Sequence, residues 1–244
     1  MNVAFIFAHQ DDEVALASRI RFEAARGNRI TCLCLTDGAA AKPAAVRDAE
    51  SRAVLARLGV EDFRVAPPHE RIADGTLPEH LDAALQFVEA QMANVGAVVT
   101  LAWEGGHQDH DAAHLVAAVF AARRGVECLE VPLYNGFRTV DPLFRVNHPV
   151  GDGWQERRLT RREYVANVLL ARFYPSQRKT WLGLVPLLLL AQPRELTRAA
   201  DLRRASVPPH PRPLLYERRF RYPYERFAPH ASDFLRRQLQ SVPD

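Results

Sequence analysis

The chain has 244 residues, 48% of them hydrophobic and 25% charged, with a formal net charge of +3. That composition excludes a disordered chain and a small disulfide-stapled one, and the length fits one α/β domain with a modest addition. So small a net charge predicts no nucleic-acid partner, and the basic runs at 157–162, 201–205 and 216–227 read first as solvated faces.

Taken in chain order, the first half alternates regularly. Residues 2–8 read as a buried strand and 12–27 as a helix stopped by Gly27. A strand is expected at 29–38, a helix at 44–59, a strand at 62–67, a helix at 77–93 and a strand at 97–102. After the loop "WEGGHQDH" come a helix at 110–125 and a strand at 128–134. The alternation predicts a Rossmann-like, mostly parallel sheet with helices on both faces. The pattern weakens beyond about residue 140, leaving a helix near 160–173 and the apolar run 181–191. A single domain over 1–244 is expected, with roughly 195–244 as a basic, proline-rich and less regular C-terminal extension. The run at 181–191 is too short to cross a bilayer and contains Pro186, so it reads as a buried helix or the interface of a homo-oligomer. Cys32, Cys34 and Cys128 fit neither a redox motif nor a disulfide framework, which predicts free buried thiols. The apolar start runs straight into acidic residues without the pattern of a secretion signal, so a cytoplasmic protein is expected.

Parallel sheets bind ligands beyond the C-terminal ends of their strands. "AHQDDE" (8–13), "TDG" (36–38) and "WEGGHQDH" (103–110) each follow a strand and so share that edge. A dinucleotide site would want G-x-G-x-x-G after the first strand, where this chain has histidine and acids. Crowded carboxylates and imidazoles resist burial unless a cation offsets them. His9, Asp12 and His110 together offer two nitrogens and one carboxylate with room left for water. That set suits catalytic Zn2+, although Fe2+ and Co2+ accept the same ligands. Asp11, adjacent but unbound, is the candidate general base, and His107 the donor to an oxygen gaining charge. Asp109 reads either as the residue that orients an imidazole or as the N-cap of the following helix. Glu13, in a helix's first turn, is explained by the helix dipole.

"AHQDDE" followed by "GGHQDH" resembles the PIG-L/LmbE-like family of metal-dependent N-acetylglucosamine deacetylases, whose usual forms are A-H-P-D-D-E and H-P-D-H. "TDG", the R-x-x-E of Arg47 and Glu50, and "YPSQ" (174–177) echo it in the same order. The resemblance implies His9, Asp12 and His110 as zinc ligands, Asp11 as base, His107 as the carbonyl-polarising group, and Arg47 and Asp74 as substrate contacts. Arg47 also reads as an ordinary salt-bridge residue of a charged helix. Gln10 and Gln108 replace the customary prolines and are expected to add polar side chains near the metal. Mycothiol-type members carry a tyrosine where Gly105 stands. The expected activity is removal of acetyl from an N-acetylated amino sugar, with the basic C-terminal tail tilting toward a phosphate-bearing or extended substrate. An amidase acting on a non-sugar or thiol-conjugate amide, a two-metal phosphoesterase and a non-catalytic sugar-binding domain are the alternatives.

Overall fold

Asn2–Phe7 form β1, in which every residue after Asn2 is buried, as a central parallel strand covered on both faces requires. The chain then makes α1 (Asp12–Ala25), β2 (Arg29–Cys34), α2 (Ala44–Arg57), β3 (Asp62–Val65), α3 (Leu81–Gln91), β4 (Ala97–Leu101), α4 (Gln108–Arg124) and β5 (Glu127–Val131). The computed structural model describes residues 1–39 and 42–239. The strands are shorter than the sequence suggests because residues such as Asp37 and Gly38 leave the sheet to build loops at its C-terminal edge. The helix expected from residue 77 begins as a 3-10 turn at Leu77–His80.

β6 (Tyr134–Asn135) and β7 (Arg145–Val146) form a small hairpin, followed by β8 (Gln155–Arg158), α5 (Arg161–Val168), α6 (Arg178–Leu190), β9 (Arg194–Ala199), α7 (Leu215–Arg219) and α8 (Tyr224–Leu239). The main sheet runs β3-β2-β1-β4-β5-β9-β8. β1 to β5 are parallel, whereas β9 is antiparallel to both β5 and β8. The region expected as an irregular extension from 195 therefore opens with a strand of the central sheet.

The two sheet faces carry separate apolar layers. Leu85, Val116, Phe120, Phe227 and Phe234 belong to one, and Phe5, Phe7, Leu16, Ile20 and Leu55 to the other. α8 joins the first because Phe227, Ala231, Phe234 and Leu235 recur at helical spacing and face inward. Strand order reverses between β1 and β4, the place where an open sheet leaves a crevice beyond its strand ends. Both histidine-bearing motifs leave the sheet there.

Candidate active site

The turn after β1 is set by Asp12. Its Oδ2 accepts the amides of Ala8 and His9 at 3.0 and 2.9 Å, leaving Oδ1 to face His110 Nε2 at 3.1 Å. His9 Nδ1 stands 3.2 Å from the same His110 nitrogen. Across the ring, His9 Nε2 lies 3.1 Å from Asp109 and 3.2 Å from Asp74, so these carboxylates would keep a proton on Nε2 and leave Nδ1 to ligate once an ion displaced its proton. Two imidazole nitrogens and a carboxylate oxygen thus converge within 4.8 Å in a buried place. Two ring nitrogens facing each other fit a shared divalent cation, and the residues suit one. His9, His107 and Asp109 form a second grouping of that size. There, however, Asp109 already accepts Gly75 N at 2.6 Å and Leu77 N at 3.2 Å besides His9.

The expected N-cap role for Asp109 is corrected by these bonds. α4 is capped instead by His107, whose Nδ1 accepts the Asp109 amide at 3.1 Å. That leaves the neutral imidazole with an Nε2–H for the pocket. Burial and the neighbouring His9 hold His107 down at about 3, so it is neutral at physiological pH. Burial alone would raise Asp12, but His110 and His9 outweigh it and hold its carboxyl at about 2.

Asp11 points elsewhere and sits at φ 113°, a backbone conformation that non-glycine residues rarely adopt. Arg47 donates to Oδ1 at 3.0 Å and Trp181 Nε1 to Oδ2 at 3.1 Å. Burial raises its carboxyl from the ordinary range to about 7, only partly opposed by Arg47. The backbone strain is held by Glu13, whose Oε2 accepts the Asp11 amide at 3.0 Å. Glu13 is fully buried and also accepts the hydroxyls of Ser51 and Tyr174. The helix dipole therefore does not account for it. Glu50 likewise accepts the Ser176 amide at 2.9 Å, joining R-x-x-E to "YPSQ".

These groups line a pocket of about 350 Å3, within the usual range for small ligands. His9, Asp11, Asp12, Arg47, Asp74, His107 and His110 all open onto it, with Asp109 directly behind His9. Sequence reasoning missed Tyr134, Trp181 and Phe220. Tyr134 packs so closely on Gly106 that a Cβ there would overlap its carbonyl, and its ring lies edge-on to His110 at 5.6 Å. Glu104 fixes that wall by accepting the amides of Leu133 and Tyr134. Phe220, from the C-terminal tail, meets the His107 ring at 4.4 Å between centroids. None of these three stands in either histidine motif; the tryptophan at the head of an apolar run was the available signal. Of the two glutamines, Gln108 does line the pocket. Gln10 is corrected: its side chain turns away to Asp48 at 2.8 Å and the Thr36 carbonyl at 3.4 Å.

The family model for PIG-L, GlcNAc-PI de-N-acetylase, matches residues 4–121. No curated protein matches. A deacetylase of the teicoplanin biosynthesis pathway shares the fold with a TM-score of 0.63 at 16% identity, over 82% of this chain and 99% of that one. The N,N'-diacetylchitobiose deacetylase of Pyrococcus horikoshii superposes with 0.58 at 16% identity, over 82% and 83%. A 4-carboxy-2-hydroxymuconate hydratase from Pseudomonas putida also does so, at 0.51 and 14% identity over 82% and 97%. The fold hosts more than one reaction, so the site and not the fold decides the chemistry. Residues 4–121 of this chain thus carry a PIG-L domain.

Proposed function

We propose that this protein is a metal-dependent N-deacetylase that releases acetate from an N-acetylated amino sugar. The observation that carries the reading is the division of labour inside one pocket. His9, Asp12 and His110 converge on a single point, while Asp11 and His107 border it without joining it. A divalent ion, which we infer to be zinc, with ferrous iron and cobalt fitting the same donors, supplies Lewis-acid polarisation and makes water more acidic when bound. Asp11 takes the proton from the attacking water, and burial, which makes its carboxylate more basic than a free one, suits it to that task. His107 donates its Nε2–H to the acetamide oxygen as negative charge develops there. Asp11 then returns the proton to the sugar nitrogen as its bond to the acyl carbon breaks, giving acetate and free amine. Asp109 keeps His9 in the required tautomer. Arg47 and Asp74, both on the pocket wall, are the proposed substrate contacts.

The phosphate-bearing substrate suggested by the basic tail narrows to particular residues. Arg218 is committed to Thr139 and Asp141, whereas Arg219, beside Phe220, has no ion pair among the described residues. Among those residues no helix is long and apolar enough to cross a membrane. The cytoplasm is the proposed compartment, supported by three buried free thiols. The test is to incubate zinc-loaded protein with a panel of N-acetylglucosamine conjugates and with N-acetyl amides lacking a sugar, measuring free acetate and the deacetylated product by mass spectrometry. Release from the sugar conjugates is expected; release only from the non-sugar amides would move the assignment to an amidase.

A further inference from the structure

α6 buries Trp181, Leu184 and Leu188, which is the stripe its packing requires. Its opposite face is apolar as well. Leu182 is 67% and Leu190 84% exposed, and Gly183, Pro186 and Leu187 continue the strip between them. Beside it an apolar groove of about 440 Å3 runs along the turn at Leu169–Phe173. A contiguous patch of this kind marks a docking surface, where single exposed leucines would not.

The patch is bordered by cations. Arg172 and Arg178 line the groove, Lys179 stands at the head of the helix, and Arg161 reaches the Leu189 carbonyl. None of the four makes an ion pair among the described residues. The nearby acids are engaged elsewhere, Glu163 with Thr160 and Glu50 with Ser176. We propose that this face docks on an anionic lipid surface, with the leucines entering the acyl boundary and the four cations meeting headgroup phosphates. A second copy of the chain suits the face poorly, because a two-fold contact over the strip would bring the same cations together. Gln177, Thr180 and Trp181 of this segment also line the catalytic pocket, so docking would set the pocket mouth at the lipid surface.

The test is co-sedimentation of the full chain with vesicles of phosphatidylcholine alone or mixed with phosphatidylglycerol, a readout independent of the reaction. Binding to the mixed vesicles is expected, weakening as salt rises. The double variant Leu182→Gln/Leu190→Gln should lose on the order of 100-fold in partition, about tenfold for each leucine. Arg172→Ala/Arg178→Ala/Lys179→Ala should lose a similar factor, roughly fivefold per cation. All five positions are on the surface, and unchanged circular dichroism checks the fold. Absence of binding to the mixed vesicles, or equal binding by the leucine variant, overturns the proposal. So does a concentration-dependent dimer in ultracentrifugation that this variant abolishes.

Discussion

Replacing Trp181 with phenylalanine removes the N–H that donates to Asp11 Oδ2 at 3.1 Å while keeping an aromatic wall. The bond joins a neutral donor to a carboxylate, and Trp181 is only 6% exposed. Hydrogen bonds to charged groups contribute about 1.5–3 kcal/mol, which on the transition-state scale is about 10- to 100-fold in rate. Arg47 still holds Oδ1, and Glu13 still holds the backbone amide, so the carboxylate remains in the site but turns more freely. The expected signature is a fall in kcat with KM near the wild-type value. A second consequence follows from linkage. The lost donor favoured the ionised carboxylate, so its removal pushes Asp11 upward from about 7. A base must be deprotonated to act, so activity falls as pH drops through this range and the acid limb of Trp181→Phe lies at higher pH. A bound cation lowers the absolute value in both proteins and leaves the direction of the difference. The assay is kcat and KM measured across the neutral range. Unchanged kcat, or a raised KM alone, would make Trp181 a substrate wall and refute its hold on Asp11.

Asp11→Asn should retain zinc by elemental analysis and lose about 10^2- to 10^4-fold in turnover. His110→Ala should lose the ion itself. Asp109→Asn should weaken metal binding about 10- to 100-fold in a chelator competition, because it disturbs the partner of His9 Nε2. Glu13→Ala leaves the Asp11 amide and the Ser51 and Tyr174 hydroxyls without their buried acceptor, and should cost roughly 3–6 kcal/mol in urea unfolding. Gly38→Ala should destabilise by about 1–3 kcal/mol in the same assay, since its φ is 55° and the added Cβ would overlap Gln10 Oε1.

The N-terminal five strands and the grouping of His9, Asp12 and His110 on one edge were legible because alternation and strand-end placement are local signals. What lay beyond reach depends on long-range closure. Glu13 looks like any acid in a first helical turn until α2 brings Ser51 and the 174–177 turn brings Tyr174 against it. Asp109 looks like a cap until the Gly75 and Leu77 amides arrive from another loop. Trp181 reads as core because its apolar neighbours dominate the window, and only the fold directs its indole nitrogen at Asp11. The return of 194–199 to the sheet was hidden by the same limit: "RELTRA" has no apolar run, and its pairing with β5 and β8 supplies what its composition lacks.

The two glutamines, standing where the motifs this chain resembles usually carry proline, bear on how the site stays rigid. Proline stiffens a turn by fixing φ and asks nothing of the rest of the fold. Gln10 reaches a comparable end by a different route, since its side chain is fully buried and spans from the first motif to Asp48 on α2 and to the Thr36 carbonyl after β2. Arg47 meanwhile donates to the Gln10 carbonyl and to Asp11. The turn carrying His9 and Asp12 is thereby fastened to α2 at two points, and Arg71 fixes Asp48 in turn at 2.7 Å. Rigidity that a ring confers locally is here distributed over β2, α2 and the loop after β3. The metal-side geometry consequently depends on residues well outside both histidine motifs, and Arg71, remote from the chemistry, becomes part of what holds it.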